Sequence, residues 1–196
     1  MRRVDLELAI KVATEIVHQD RVLIIGSQSI LGSFDEYELP PTATLSDEVD
    51  IAPIADDEQE TVATLLDGQA GEWSSFHDAN GFYIQGVGTR TAVLPRGWKG
   101  RLVEVRPPGY PNSIGLCLDP IDLCVAKLVA GREKDWPFVD SLIGAGLVSP
   151  TQLRDRIRLL DDGQSQLDGP MIDDAFRDRL RSWAEAAKER HARVWL

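Results

Sequence analysis

The hydrophobic positions of this chain change period along its length, and the changes mark out elements. From Val4 to Gln19, Leu6, Ala9, Ile10, Ala13, Ile16 and Val17 recur at the i, i+3, i+4, i+7 spacing of an amphipathic helix. "RVLIIG" follows as a continuous apolar run rich in β-branched residues and closed by Gly26, which predicts a buried strand. "SQSILGSF" reads as a helix start with Ser27 at its N-cap. In "DEYELPPTAT", Pro40 and Pro41 predict a loop. "DEVDIAPI" then alternates with period two, the signature of a half-buried strand.

Asp56 to Leu66 is expected to be helical, with acids in its first turn. "GFYIQGVG", "TAVLP" and "RLVEVR" resemble strands separated by Gly- and Pro-marked turns. Asp119 to Gly131 reads as a helix with Pro120 in its first turn and Gly131 at its end. Beyond Pro150, "TQLRDRIRLL" and "DDAFRDRLRSWAEAAKERHARV" set arginines opposite Leu, Ile, Phe and Trp, again helical. Helices and strands in this order predict an α+β or α/β core at residues 1–145, with a helical segment, 146–196, packed on it.

Composition narrows the classes. A 196-residue chain with 43% hydrophobic and 27% charged residues can bury a sizeable core. No apolar run approaches the ~18 residues of a membrane span, and acids interrupt the N-terminal stretch that a signal peptide would need. A cytoplasmic protein is expected. Two cysteines, Cys117 and Cys124, are too few for a disulfide scaffold. Three scattered histidines give no zinc spacing, and no G-x-G-x-x-G follows a strand. The net charge of −11 argues against generic nucleic-acid binding. Arg90, Arg96, Lys99, Arg101 and Arg106 nevertheless cluster in sequence, as either a basic patch or a solubilising hairpin.

Candidate chemistry lies in three segments. Gly26–Ser27 closes a strand with a turn that lets a phosphate approach the backbone. Glu48 and Asp50, at i and i+2 of the next strand, project side by side, a pair suited to a divalent cation. Lys127 sits on a helix and is followed by "AGREKD", with Arg132, Lys134 and Asp135. A phosphate-binding turn, paired carboxylates and a lysine are the groups that nucleotidyl transfer needs.

This ordered set resembles the DNA polymerase β-type nucleotidyltransferase superfamily. The stretch "LDPIDLCVAKLVAGREKDWPFVDSLI" is similar to nucleotidyltransferase toxins of the AbiEii-like and MenT type; the likeness runs from about Val22 to about Leu142. It implies an α+β fold, a mixed sheet flanked by helices. It also implies a magnesium-dependent toxin of a toxin–antitoxin pair that transfers NMP from an NTP to an RNA, the tRNA 3′ end first among acceptors. Its partners would be NTP, that RNA and a cognate antitoxin, with no membrane.

By the same resemblance, Gly26 and Ser27 contact the β- and γ-phosphates and Glu48 and Asp50 hold magnesium. Lys127 stabilises triphosphate charge, Asp135 orients Lys127 or the acceptor, and Arg132 steadies phosphate or the carboxylates. Glu48 stands where the superfamily usually has Asp, and "DEYELPPTAT" becomes an inserted mobile loop. Glu104 is a rival third carboxylate, and Thr42, Thr44 or Ser46 would be open to silencing by modification. Two other readings stand beside this one: a small-molecule transferase of the aminoglycoside-modifying kind, favoured by the acidity, and a lapsed nucleotide-binding module.

Overall fold

A computed structural model describes residues 1–163 and 171–195. Five strands, β1 (Arg21–Ile24), β2 (Glu48–Pro53), β3 (Tyr83–Gly86), β4 (Val103–Val105) and β5 (Ile114–Cys117), form one sheet in the order β3-β2-β1-β5-β4. β2 runs antiparallel to β1, β5 is parallel to β1, β3 is parallel to β2, and β4 closes the far edge antiparallel to β5. The mixed sheet with flanking helices is an α+β fold.

α1 (Arg3–Val17) buries Leu6, Ala9, Ile10, Ala13 and Val17 against the sheet. Its bed includes Gly115, where an added Cβ would collide with Ile10 and Ile24. Ile24 pairs with Ile51, so strand alternation turns Glu48 and Asp50 to the opposite face from α1. That opposite face receives α4 (Pro120–Ala130), which packs against α5 (Asp135–Gly144) and α6 (Pro150–Ile157).

α4 is fastened at both ends. The Asp119 carboxylate accepts from the Ile121 and Asp122 N–H groups, and Pro120 fills the first helical position. Asp122, fully buried, is gripped by Arg101 at 2.8 Å and by Arg156 of α6 at 2.5 Å. At the other end Gly131 adopts φ 61°, and its N–H returns to the Lys127 carbonyl.

Several elements depart from the sequence expectations. Residues after Gly26 form a short 3-10 turn, Ser27–Gly32, with Gly26 in the cap position, so Ser27 is not an N-cap. α2 (Thr61–Ala70) begins later than expected, and Asp56 and Asp57 stand before it, accepting from the Thr61, Val62 and Ala63 N–H groups. "TAVLP" is not a strand; it buries Val93 and Leu94, and Arg96 N–H donates to the Leu159 carbonyl. The segment expected to be a mobile loop is anchored instead. Leu39 and Ala43 are buried, and the Thr42 hydroxyl bonds Ser141 at 2.9 Å.

β5, α3 (Ser75–Asn80) and α5 were not expected from the pattern. The C-terminal helices are α6, α7 (Asp174–Arg190) and α8 (Ala192–Trp195). Their buried residues, from Leu153 to Ala187, share one hydrophobic cluster with the sheet and α1.

Candidate active site

The sheet order brings the first two sequence segments together. β1 and β2 are neighbours, the Ile25 N–H donates to the Asp50 carbonyl at 3.1 Å, and the chain then turns at Gly26. Gly26 lies directly under the Asp50 carboxylate: a Cβ there would fall on Oδ2. The glycine is required for space, since its φ of −77° suits any residue. Gly26→Ala should therefore displace the carboxylate. We expect a loss of about 1–3 kcal/mol from overpacking, read as a lower Tm, and at least ~10-fold weaker magnesium-dependent NTP binding in calorimetry.

Asp50 is an acid held out of water beside a second acid. Burial, then the charge of Glu48 and a hydrogen bond with it, push its pKa up to about 7, against the pull of Lys127 and Arg132. Glu48 is bound on its other side by the Tyr83 hydroxyl, which donates to Oε2 at 3.1 Å. Burial and Glu48 together raise the Tyr83 pKa, so the phenol stays a donor. Tyr83 stands opposite Glu48 in the β2–β3 register, and Gln85 stands opposite Asp50.

Lys127 projects from α4 with only 6% of its surface exposed. Its ammonium lies 3.1 Å from Asp135 Oδ1, and the other oxygen of Asp135 accepts from Arg132 Nε at 2.9 Å and Arg132 N–H at 3.1 Å. Asp135, in the first turn of α5, is fully buried between these cations. Burial lowers the Lys127 pKa and Asp135 opposes the shift.

Two cavities meet at Lys127. One, about 70 Å³, has Gly26, Asp50, Lys127 and Arg132 among its walls. The other, about 360 Å³, is lined by Ser27, Thr42, Ser46, Lys127, Lys134 and Phe138 with their neighbours. Ser27, directly after the Gly26 turn, is part of the wall of this second cavity. Thr42 and Ser46 face the same space, whereas the Thr44 hydroxyl donates to the Pro41 carbonyl.

Gly26, Ser27, Asp50, Lys127 and Arg132 thus line two cavities that share Lys127, with Glu48 beside Asp50 and Asp135 behind Lys127 and Arg132. Glu104 is not among them. It lies on β4, with β5 and β1 between it and β2, and binds Arg106 at 2.8 Å. Part of the basic cluster is paired: Arg101 grips buried Asp122, while Arg96 and Arg106 pair on the surface with Asp161 and Glu104. Tyr83 is the site residue that sequence reasoning missed, because only strand register reveals it.

Among the described residues no group of three or more His, Cys, Asp or Glu is arranged to hold a metal ion. The pair Glu48 and Asp50 still fits magnesium, which takes hard oxygens from one or two carboxylates and completes its shell with water and substrate phosphates. Their mutual repulsion, visible in the raised Asp50 pKa, is what a shared cation would relieve. Among the described residues no helix is long and apolar enough to cross a membrane.

The mixed five-stranded sheet flanked by helices is consistent with a polymerase β-like nucleotidyltransferase fold. Comparison with known families agrees. The family described as "Nucleotidyltransferase of unknown function (DUF6036)" matches residues 4–186, and the chain belongs to it. Neither the curated proteins nor the solved structures include a match.

Proposed function

We propose that this protein transfers a nucleoside monophosphate from an NTP to an acceptor hydroxyl, with magnesium held by Glu48 and Asp50. The observation that carries this reading is that Asp50 and Lys127, far apart in sequence, line one cavity with Gly26. Gly26 and Ser27 present backbone and hydroxyl to the triphosphate, and Lys127 and Lys134 supply positive charge from the opposite wall. Magnesium, when bound, supplies charge neutralisation at the phosphates and acidifies the acceptor hydroxyl. The acceptor oxygen bonds the α-phosphorus as the bond to the bridging oxygen breaks; pyrophosphate leaves and the hydroxyl proton passes to solvent. Asp135 holds Lys127 in place.

In the toxin reading, which rests on the sequence resemblance, the acceptor is an RNA 3′ end and an antitoxin restrains the enzyme. A small cationic acceptor is the second reading. The net charge of −11 favours it, because an acidic body attracts a cationic substrate.

The test is transfer from α-labelled NTPs, with magnesium, to total tRNA and to hydroxylated small molecules. Label should move in wild type and not in Lys127→Ala. If magnesium promotes NTP binding but no label reaches any acceptor, the protein is a lapsed nucleotide-binding module; if it promotes neither, the transferase reading fails.

A further inference from the structure

The acid strand has two flanks. β1, ending in Gly26–Ser27, lies on one side of β2, and β3 lies on the other. With triphosphate on the Gly-Ser flank, an in-line displacement brings the acceptor from the side opposite the leaving pyrophosphate. The flank left for it is that of β3.

That flank carries a run of aromatic rings beginning at the metal-binding pair. Tyr83 donates to Glu48, the His77 ring lies 5.1 Å from the Tyr83 ring, and the Trp73 ring lies 6.5 Å from His77. Trp73 is 82% exposed and has φ 65°, a left-handed conformation unusual for a bulky residue. The Trp73 backbone N–H donates to His77 Nδ1 at 3.2 Å, which ties the loop to the His77 ring. The indole is exposed and contributes little to the core, which leaves its face open to a ligand.

Charge indicates what kind of ligand. Between Arg21 and Arg90 the chain contains no lysine or arginine and thirteen Asp and Glu residues. The charged groups that bear on the Tyr83 hydroxyl are Glu48, Glu72 and Asp47, all negative. A polyphosphate backbone would find no neutralising side chain from this stretch. Ammonium groups would be attracted by the carboxylates and by the face of Trp73 through cation–π contact.

We infer that Trp73, His77 and Tyr83 form the acceptor subsite, and that the acceptor is a small hydroxylated polycation of the amino-sugar class. This inference rests on the transferase reading above. It is tested with the full chain, magnesium, α-labelled NTPs and four probes: neomycin, kanamycin, a neutral trisaccharide and total tRNA.

Label should enter at least one amino sugar and not the neutral sugar. Trp73→Ala should raise KM for that amino sugar at least ~10-fold, more than it changes kcat, and leave Tm within about 1 °C because the ring is exposed. Glu72→Gln should raise KM less, with the difference fading at high salt. Label in tRNA alone, or none in either amino sugar, overturns the inference, as does an unchanged KM in Trp73→Ala. Magnesium-dependent NTP binding, measured without acceptor in wild type and Asp50→Asn, judges the underlying reading separately.

Discussion

Replacing Asp50 with asparagine should abolish transfer and, in the same protein, raise the melting temperature above pH 7. The activity loss follows from removing one of two cation ligands; a factor of about 10³, or roughly 4 kcal/mol of barrier, is expected. The stability gain follows from the raised pKa. In the fold Asp50 binds its proton more tightly than in the unfolded chain, with a pKa of about 7 against 3.8. Stability linked to that proton is fully present below the unfolded value and is lost as pH rises through about 7, on the order of 4 kcal/mol in all.

Asparagine keeps the shape and never ionises, so the variant escapes this loss. Thermal melts in EDTA from pH 5 to 8 should show a steeper decline for wild type. Magnesium should restore wild type more at pH 8 than at pH 6 and leave the variant unmoved. Parallel melting profiles in the two proteins would show that Asp50 is not the strained acid.

The second large effect is expected at Asp135, which is fully buried between Lys127 and Arg132. Asp135→Ala leaves the Lys127 ammonium buried without a counter-ion, a defect that costs about 3–5 kcal/mol. For a chain of this size that is a drop of roughly 6–20 °C in Tm. The double variant Lys127→Met, Asp135→Leu removes both charges and should recover most of that loss while remaining inactive in the labelling assay. If the double variant is as unstable as the single one, Asp135 contributes through packing and not through the ion pair.

Much of this was visible in the sequence wherever periodicity ran long enough. α1, β1, β2 and α4 follow their patterns to within a few residues, and the acid pair was readable from alternation alone. β5 was not, because four residues containing Gly115 carry no period, although that glycine is what lets α1 approach the sheet. Tyr83 was not readable either, since its partnership with Glu48 is fixed by register between β2 and β3. Asp135 was named through the resemblance, as the acid that orients Lys127 or the acceptor, but its helix was not expected: a turn at Gly131 starts α5 and folds the carboxylate back onto Lys127. The stretch without a cationic side chain runs from Val22 to Thr89. It is hidden when charge is taken as a total, and it gains meaning only once the sheet places that stretch beside the cleft.

The helix that carries Lys127 is a rod clamped at its two tips, by Asp122 in the grip of Arg101 and Arg156, and by Asp135 across the turn at Gly131. Such a rod passes a disturbance along its length and does not absorb it. A search for inactivating variants should therefore reach well beyond the walls of the cleft, to the far clamp, where an altered arginine on α6 tilts the lever that aims the ammonium.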